Sequence, residues 1–222
     1  MDWFTRSGAA VAALPPSAEA TPLHLLVSLC KTIVTGYPIL YGDGIITKVL
    51  GDDMNSNISR LEAAASELEA GGGGGGGSPG ATLGALLAQV GADGSPPSPH
   101  APGVYGARWV ARTLRFVAVL LQKLSADPAL SIADAGRQTY GVAIAPFHMP
   151  VMAFVVSFIL RWAPSRAWVL AGPLGGASNE AACAACAALG ARVGPVAESI
   201  SRALEERGLD YADRISAIPG GW

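Results

Sequence analysis

Apolar positions recur at helical spacing along most of the chain, and nowhere do they alternate with the period of two that marks a half-buried strand. The periodicity predicts helices over about Pro22 to Thr35, Gly44 to Glu69, Val104 to Leu124, Pro150 to Trp162, Ala177 to Leu189 and Val193 to Glu206. Shorter helices are expected over Ala81 to Val90 and Ala129 to Tyr140, so the fold class is all-α. Ala143 to Leu160 is almost wholly apolar but contains His148, Pro146 and Pro150. Its uninterrupted run from Met149 falls well short of the roughly 20 residues a bilayer span needs. It reads as a fully buried core helix that begins near Pro150, where proline suits a first turn.

The Gly44 to Glu69 helix carries a polar break in its core-facing stripe. Asp53 and Asn57 lie seven positions after Ile46 and Leu50, and Arg60 follows three after Asn57, so all share one face. Burying such groups costs roughly 1–3 kcal/mol for each that lacks a partner, so the three either satisfy one another or await a polar ligand. Trp109 shares a stripe with Phe116 and Leu120 and stands near Tyr105; it reads first as core, although an indole at the mouth of a core can also stack on a sugar ring. Arg108, Arg112 and Arg115 form another stripe. A solvated face suits Arg115, whereas Arg108 and Arg112, flanking the tryptophan, could reach an anionic head group or membrane phosphates. His148 reads first as a structural histidine; in its neutral form it has one ring N–H, enough to hold one carbonyl oxygen.

Composition adds that the fold is unusually apolar: charged residues are 14% of the 222, against about a quarter in an average domain, and mean hydropathy is +0.37. A net charge of −2 gives no overall attraction to nucleic acid. An odd count of three cysteines, with no amino-terminal basic-then-apolar signal, points to a reducing, cytoplasmic setting. Residues 1–20 are set apart as an N-terminal extension, with disorder allowed. Residues 21–222 form one domain with flexible loops at 71–80, which holds a seven-glycine run, and at 94–103. No nucleophile elbow or His-Glu-x-x-His motif is present, and the histidines are His24, His100 and His148. Cys183 and Cys186 have redox spacing but sit in an alanine-rich helix, where small core residues are the better account. No enzyme activity, metal or cofactor is expected, and without a heptad seam the chain is expected to be a monomer.

Taken in order, three segments resemble the glycolipid transfer protein family: Asp53-x-x-x-Asn57-x-x-Arg60, then Arg108-Trp109-Val110-Ala111-Arg112-Thr113-Leu114-Arg115-Phe116, then Tyr140 through Ala145-Pro146-Phe147-His148 to Trp162-Ala163-Pro164-Ser165-Arg166. The resemblance implies a two-layer sandwich of about eight helices that holds one sphingolipid, its chains in an apolar pocket between the layers. Carried over, Asp53 would accept from the sphingoid amide N–H and a sugar hydroxyl, Asn57 and Arg60 would bind further hydroxyls, Trp109 would stack beneath the ring, and His148 would donate to the acyl amide oxygen. It implies transfer of a glycosphingolipid, such as a glucosylceramide or galactosylceramide, during transient contact with membranes. Arg60 replaces the usual lysine. Pro150 stands where the family commonly has a docking tryptophan, which leaves docking to Phe147, Met149, Met152 or other exposed apolar groups. A branch of the superfamily transfers ceramide-1-phosphate with a lysine at the position of Asn57 and arginines at those of Tyr105 and Trp109. That alternative would rest here on Arg60, Arg108 and Arg112, and a non-transferring lipid sensor is a further one.

Overall fold

A computed structural model describes residues 2–71, 80–89, 97–174 and 176–210. Among them the chain is helical, with no strand: α1 (Asp2–Ala12), α2 (Leu23–Val34), α3 (Tyr37–Tyr41), α4 (Ile45–Gly71), α5 (Leu83–Leu87), α6 (Pro102–Ala126), α7 (Ile132–Ala143), α8 (Pro150–Ile159), α9 (Arg166–Ala171) and α10 (Asn179–Glu205). Hydroxyls start several of them. Thr82, Ser131, Ser165 and Ser178 each accept the backbone N–H three residues on, satisfying a donor that the first turn leaves open.

The helices form a two-layer sandwich with α6 at its centre, packed against α10, α4 and α7, while α2 covers α4 and α1 bridges α2 and α10. Buried residues cover most of α6 rather than one stripe, because it has neighbours on several sides, and a narrow strip with Arg115 and Gln122 is exposed. The stretch Leu23–Tyr41 is long and apolar enough to cross a membrane by length and composition. Here it is two helices, and Leu23, Leu26, Leu29, Cys30 and Ile33 are fully buried in the core.

Three expectations are corrected. Residues 1–20 are no extension apart from the domain: α1 inserts Trp3 and Phe4 into the core, and the Trp3 indole donates to the Thr32 carbonyl at 3.0 Å. Gly36 makes room for that indole, since a Cβ there would lie 2.2 Å from it. Second, the two C-terminal helices are one, α10, which continues through Pro195. The proline and Ala191, whose carbonyl loses its partner, are both exposed, so water can satisfy the freed group. Third, α8 is not a buried core helix. Only Val156 of its residues is buried, while Val151 is 73%, Phe154 72% and Phe158 48% exposed, followed by Trp162 at 71%. The loop expected at 71–80 lies almost wholly outside the described residues; of the one expected at 94–103, only 94–96 lie outside them, and Pro102 already opens α6.

Candidate functional site

The helical course of α4 brings Asp53, Asn57 and Arg60 to one side, as their spacings of four and three residues require. Asn57 is fully buried and satisfied at both ends: its Nδ2 donates to the Asp53 backbone carbonyl at 3.0 Å, and its Oδ1 accepts from Arg60 Nη1 at 2.8 Å. The Arg60 guanidinium lies over the Tyr105 ring, 4.9 Å from its centroid. α6 can come this close because Gly106 has no side chain; a Cβ there would stand 3.0 Å from the Asn57 carbonyl oxygen.

The Asp53 carboxylate differs from its neighbours. It has no hydrogen-bond or ion-pair partner among the described residues, and burial pushes its pKa up to about 6 against the opposing pull of Arg60. It lines an apolar cavity of about 50 Å³ together with Leu50, Phe116, Tyr140, His148 and Leu160. A second apolar cavity of about 30 Å³ is lined by Phe4, Leu40, Leu124 and Cys186, which gives α1 a part in shaping the interior.

His148 is held by a short 3-10 turn, Ala145–Phe147, between α7 and α8. Its Nδ1 is 2.6 Å from the Tyr140 hydroxyl, and its ring lies 5.5 Å from that of Trp109. Burial, with a contribution from the Arg112 charge, lowers its pKa to about 4, so the imidazole is neutral at physiological pH. The indole of Trp109 is only 3% exposed, and the Arg112 guanidinium lies 5.0 Å from its centroid.

Arg108 and Arg112 turn away from the role their stripe allowed. Arg108 is 2% exposed and donates to the Pro99 and Leu209 carbonyls at 3.3 and 3.5 Å. Arg112 is 5% exposed, stacks 3.5 Å from the Phe147 centroid and pairs with Asp210 at 2.7 Å. Both cations are committed inside the protein rather than offered to membrane phosphates, and Arg115 alone of the three is exposed. Asp53, Asn57, Arg60, Tyr105, Trp109 and His148 are thus gathered where α4, α6 and the α7–α8 turn meet. Sequence reasoning missed Asp210, which is 98 residues from Arg112 and carries no local signal, and the Tyr140–His148 contact. Among the described residues no group of three or more metal-ligating side chains exists.

An all-helical sandwich with an apolar interior beneath a polar cluster defines the class of helical lipid-transfer proteins. The chain belongs to the glycolipid transfer protein family, whose model matches residues 22–172. Its fold is similar to that of the mouse ceramide-1-phosphate transfer protein in its apo form, with a TM-score of 0.70 at 16% identity, covering 93% of this chain and 97% of that one. The fungal glycolipid transfer protein HET-C2 superposes with a TM-score of 0.66 at 16% identity, covering 90% and 95%. A mutant of Arabidopsis ACD11 complexed with C12 ceramide-1-phosphate gives 0.69 at 16% identity, covering 94% and 96%. No curated protein matches the chain. Glycolipid and ceramide-1-phosphate proteins share this fold, so the head group has to be read from the site.

Proposed function

We propose that this protein is a monomeric, non-enzymatic carrier that moves a glycosphingolipid between membranes from the cytoplasm. The observation that carries the reading is the division of charge in the site. Asn57 and Arg60 are already joined, Arg108 and Arg112 are committed to the 209–210 segment, and the Asp53 carboxylate is left to accept hydrogen bonds. An acceptor-only carboxylate beside a neutral imidazole suits amide and hydroxyl donors, and it repels a phosphate. Arg60 retains donors for sugar hydroxyls, and the lipid chains enter the cavity that Asp53 and His148 line. A cavity of about 50 Å³ holds only a few waters, so chain entry requires the surrounding helices to part. Each methylene buried returns about 0.8 kcal/mol toward that opening.

Membrane contact falls to the exposed apolar ridge of α8. Val151, Phe154, Phe158 and Trp162 supply it, with Met149 at 37% exposure preceding them. Phe154 and Phe158 stack at 6.5 Å, one turn apart. No charged residue lies in α8, and the exposed Arg161 beside Trp162 adds one cation at its end, so docking rests chiefly on apolar burial.

The test is vesicle-to-vesicle transfer of labelled glucosylceramide, galactosylceramide and ceramide-1-phosphate by the wild type and Asp53→Val. The glycolipids are expected to move and the phosphorylated lipid not, and Asp53→Val is expected to abolish transfer while retaining helicity by circular dichroism. Transfer of ceramide-1-phosphate alone would overturn the sugar assignment. Tight binding with negligible transfer would make the protein a sensor.

A further inference from the structure

We propose that Tyr140 is a positioning residue that fixes the tautomer of His148, placing the ring proton on Nε2 and making that nitrogen the donor to a lipid amide carbonyl. The inference rests on the proposed function above and on His148 donating to the lipid amide oxygen, as the family resemblance implies, and adds what holds the imidazole in its donating form.

Two arrangements fit a 2.6 Å contact between the Tyr140 hydroxyl and Nδ1 of a neutral imidazole. Either the phenol donates to a bare Nδ1, or a protonated Nδ1 donates to the phenol oxygen. Tyr140 is 2% exposed, and His148 is the only hydrogen-bond partner its hydroxyl has among the described residues. In the second arrangement the phenol hydrogen would be buried with no acceptor, a loss of about 1–3 kcal/mol. In the first, both groups are satisfied. Burial also raises the phenol pKa, so the proton to be donated is always present.

The backbone holds the pair in place. Tyr140 lies in the last turn of α7, and its carbonyl accepts the Ile144 N–H at 3.1 Å. The Ile144 and Ala145 carbonyls in turn accept the Phe147 and His148 N–H groups at 2.9 and 3.1 Å. The nine residues from Tyr140 to His148 are therefore linked by successive backbone hydrogen bonds, and the ring has little freedom to leave Tyr140.

The consequence lies across the cavity, where Asp53 can only accept while ionised. A trans secondary amide presents its N–H and its C=O in opposite directions, so it needs one acceptor and one donor. Asp53 and a protonated Nε2 are such a set. With the other tautomer, Nε2 would be a second acceptor, and a buried amide carbonyl would find no donor from His148.

The test is long-range ¹⁵N–¹H correlation of histidine-labelled full-length protein without lipid, with His148 assigned by its loss in His148→Asn. The expected spectrum shows a bare Nδ1 and a protonated Nε2 for His148. Tyr140→Phe, which keeps the ring, is expected to give a mixture of tautomers and a roughly tenfold slower glycosphingolipid transfer, about 1.4 kcal/mol. A proton on Nδ1 in the wild type overturns the proposal, and that reading stands even if the variant does not fold. An unchanged tautomer in Tyr140→Phe overturns it also, as does an altered tautomer with unchanged transfer. Because the tautomer is read without lipid, a failure of the wild type to move any sphingolipid would sink the proposed function and leave the tautomer assignment standing.

Discussion

α6 and α8 invert what their compositions suggest. α6 carries Arg108 and Arg112 and buries most of its surface, though not Arg115, whereas α8 carries no charge and buries only Val156. The difference lies in their neighbours. α6 packs against α4, α7 and α10, so the buried Arg108 and Arg112 must find partners within the protein, and Asp210 and backbone carbonyls supply them. α8 rests on the fold along one side, leaving Phe154 and Phe158 without protein to cover them. An apolar helix is thus not evidence of a core, and an exposed apolar face of this kind marks an interaction surface, which we propose to be the membrane-docking one.

Truncation should expose this contrast most strongly. Leu114, fully buried on α6, is expected to cost about 2–5 kcal/mol on replacement by alanine. Phe154→Ala removes a larger side chain from α8, yet its cost should stay within about 0.5 kcal/mol, because the ring is 72% exposed. Urea unfolding of the two variants measures both, and equal costs would break the comparison.

The ridge should show its effect in transfer instead. Phe154→Ser, Phe158→Ser and Trp162→Ser together are expected to slow glycosphingolipid transfer by about tenfold or more, since each tenfold step needs only about 1.4 kcal/mol. Neutral phosphatidylcholine vesicles are the sharper assay, because α8 itself carries no charge. Wild-type transfer that required anionic lipid would place docking elsewhere, and an undiminished rate in the triple variant would separate α8 from the membrane.

These contrasts also explain what could be read in advance. The long helices α2, α4 and α6 were legible because their apolar residues keep a period near 3.6, and the Asp53, Asn57 and Arg60 face followed from spacing alone. The position of α8 was not legible, since a core helix and one with an exposed apolar face show the same run of Val, Phe and Ile. α1 was not legible because its buried face, Trp3, Phe4, Ser7, Gly8 and Val11, keeps helical spacing but includes a serine and a glycine, which do not read as core. Proline and glycine within α10 looked like a break, yet Pro195 falls on a solvated side where the helix tolerates it. The arginines could be placed on a stripe but not given partners, because Asp210 joins Arg112 through the tertiary fold.

A pH titration makes the finest distinction, between the site's two ionisable groups. Burial raises Asp53 to about 6 and lowers His148 to about 4. Between those values Asp53 gains its proton while His148 stays neutral, so a fall from about pH 7.5 to pH 5 changes the carboxylate alone. Transfer should fall several-fold with a midpoint at or below about 6, because a ligand that donates to the carboxylate favours its ionised form and draws the pKa down. Stability follows a different course. A raised carboxyl pKa means that the folded state binds the proton first, so Asp53 adds stability as pH drops through 6 toward its unfolded value. His148, depressed in the fold, removes stability as pH falls from its ordinary 6.5 toward 4. The two contributions oppose each other across this window, which separates loss of transfer from unfolding. Asp53→Asn should flatten the transfer profile over the same range at a lower rate, and a retained midpoint in that variant would assign the titration to another group.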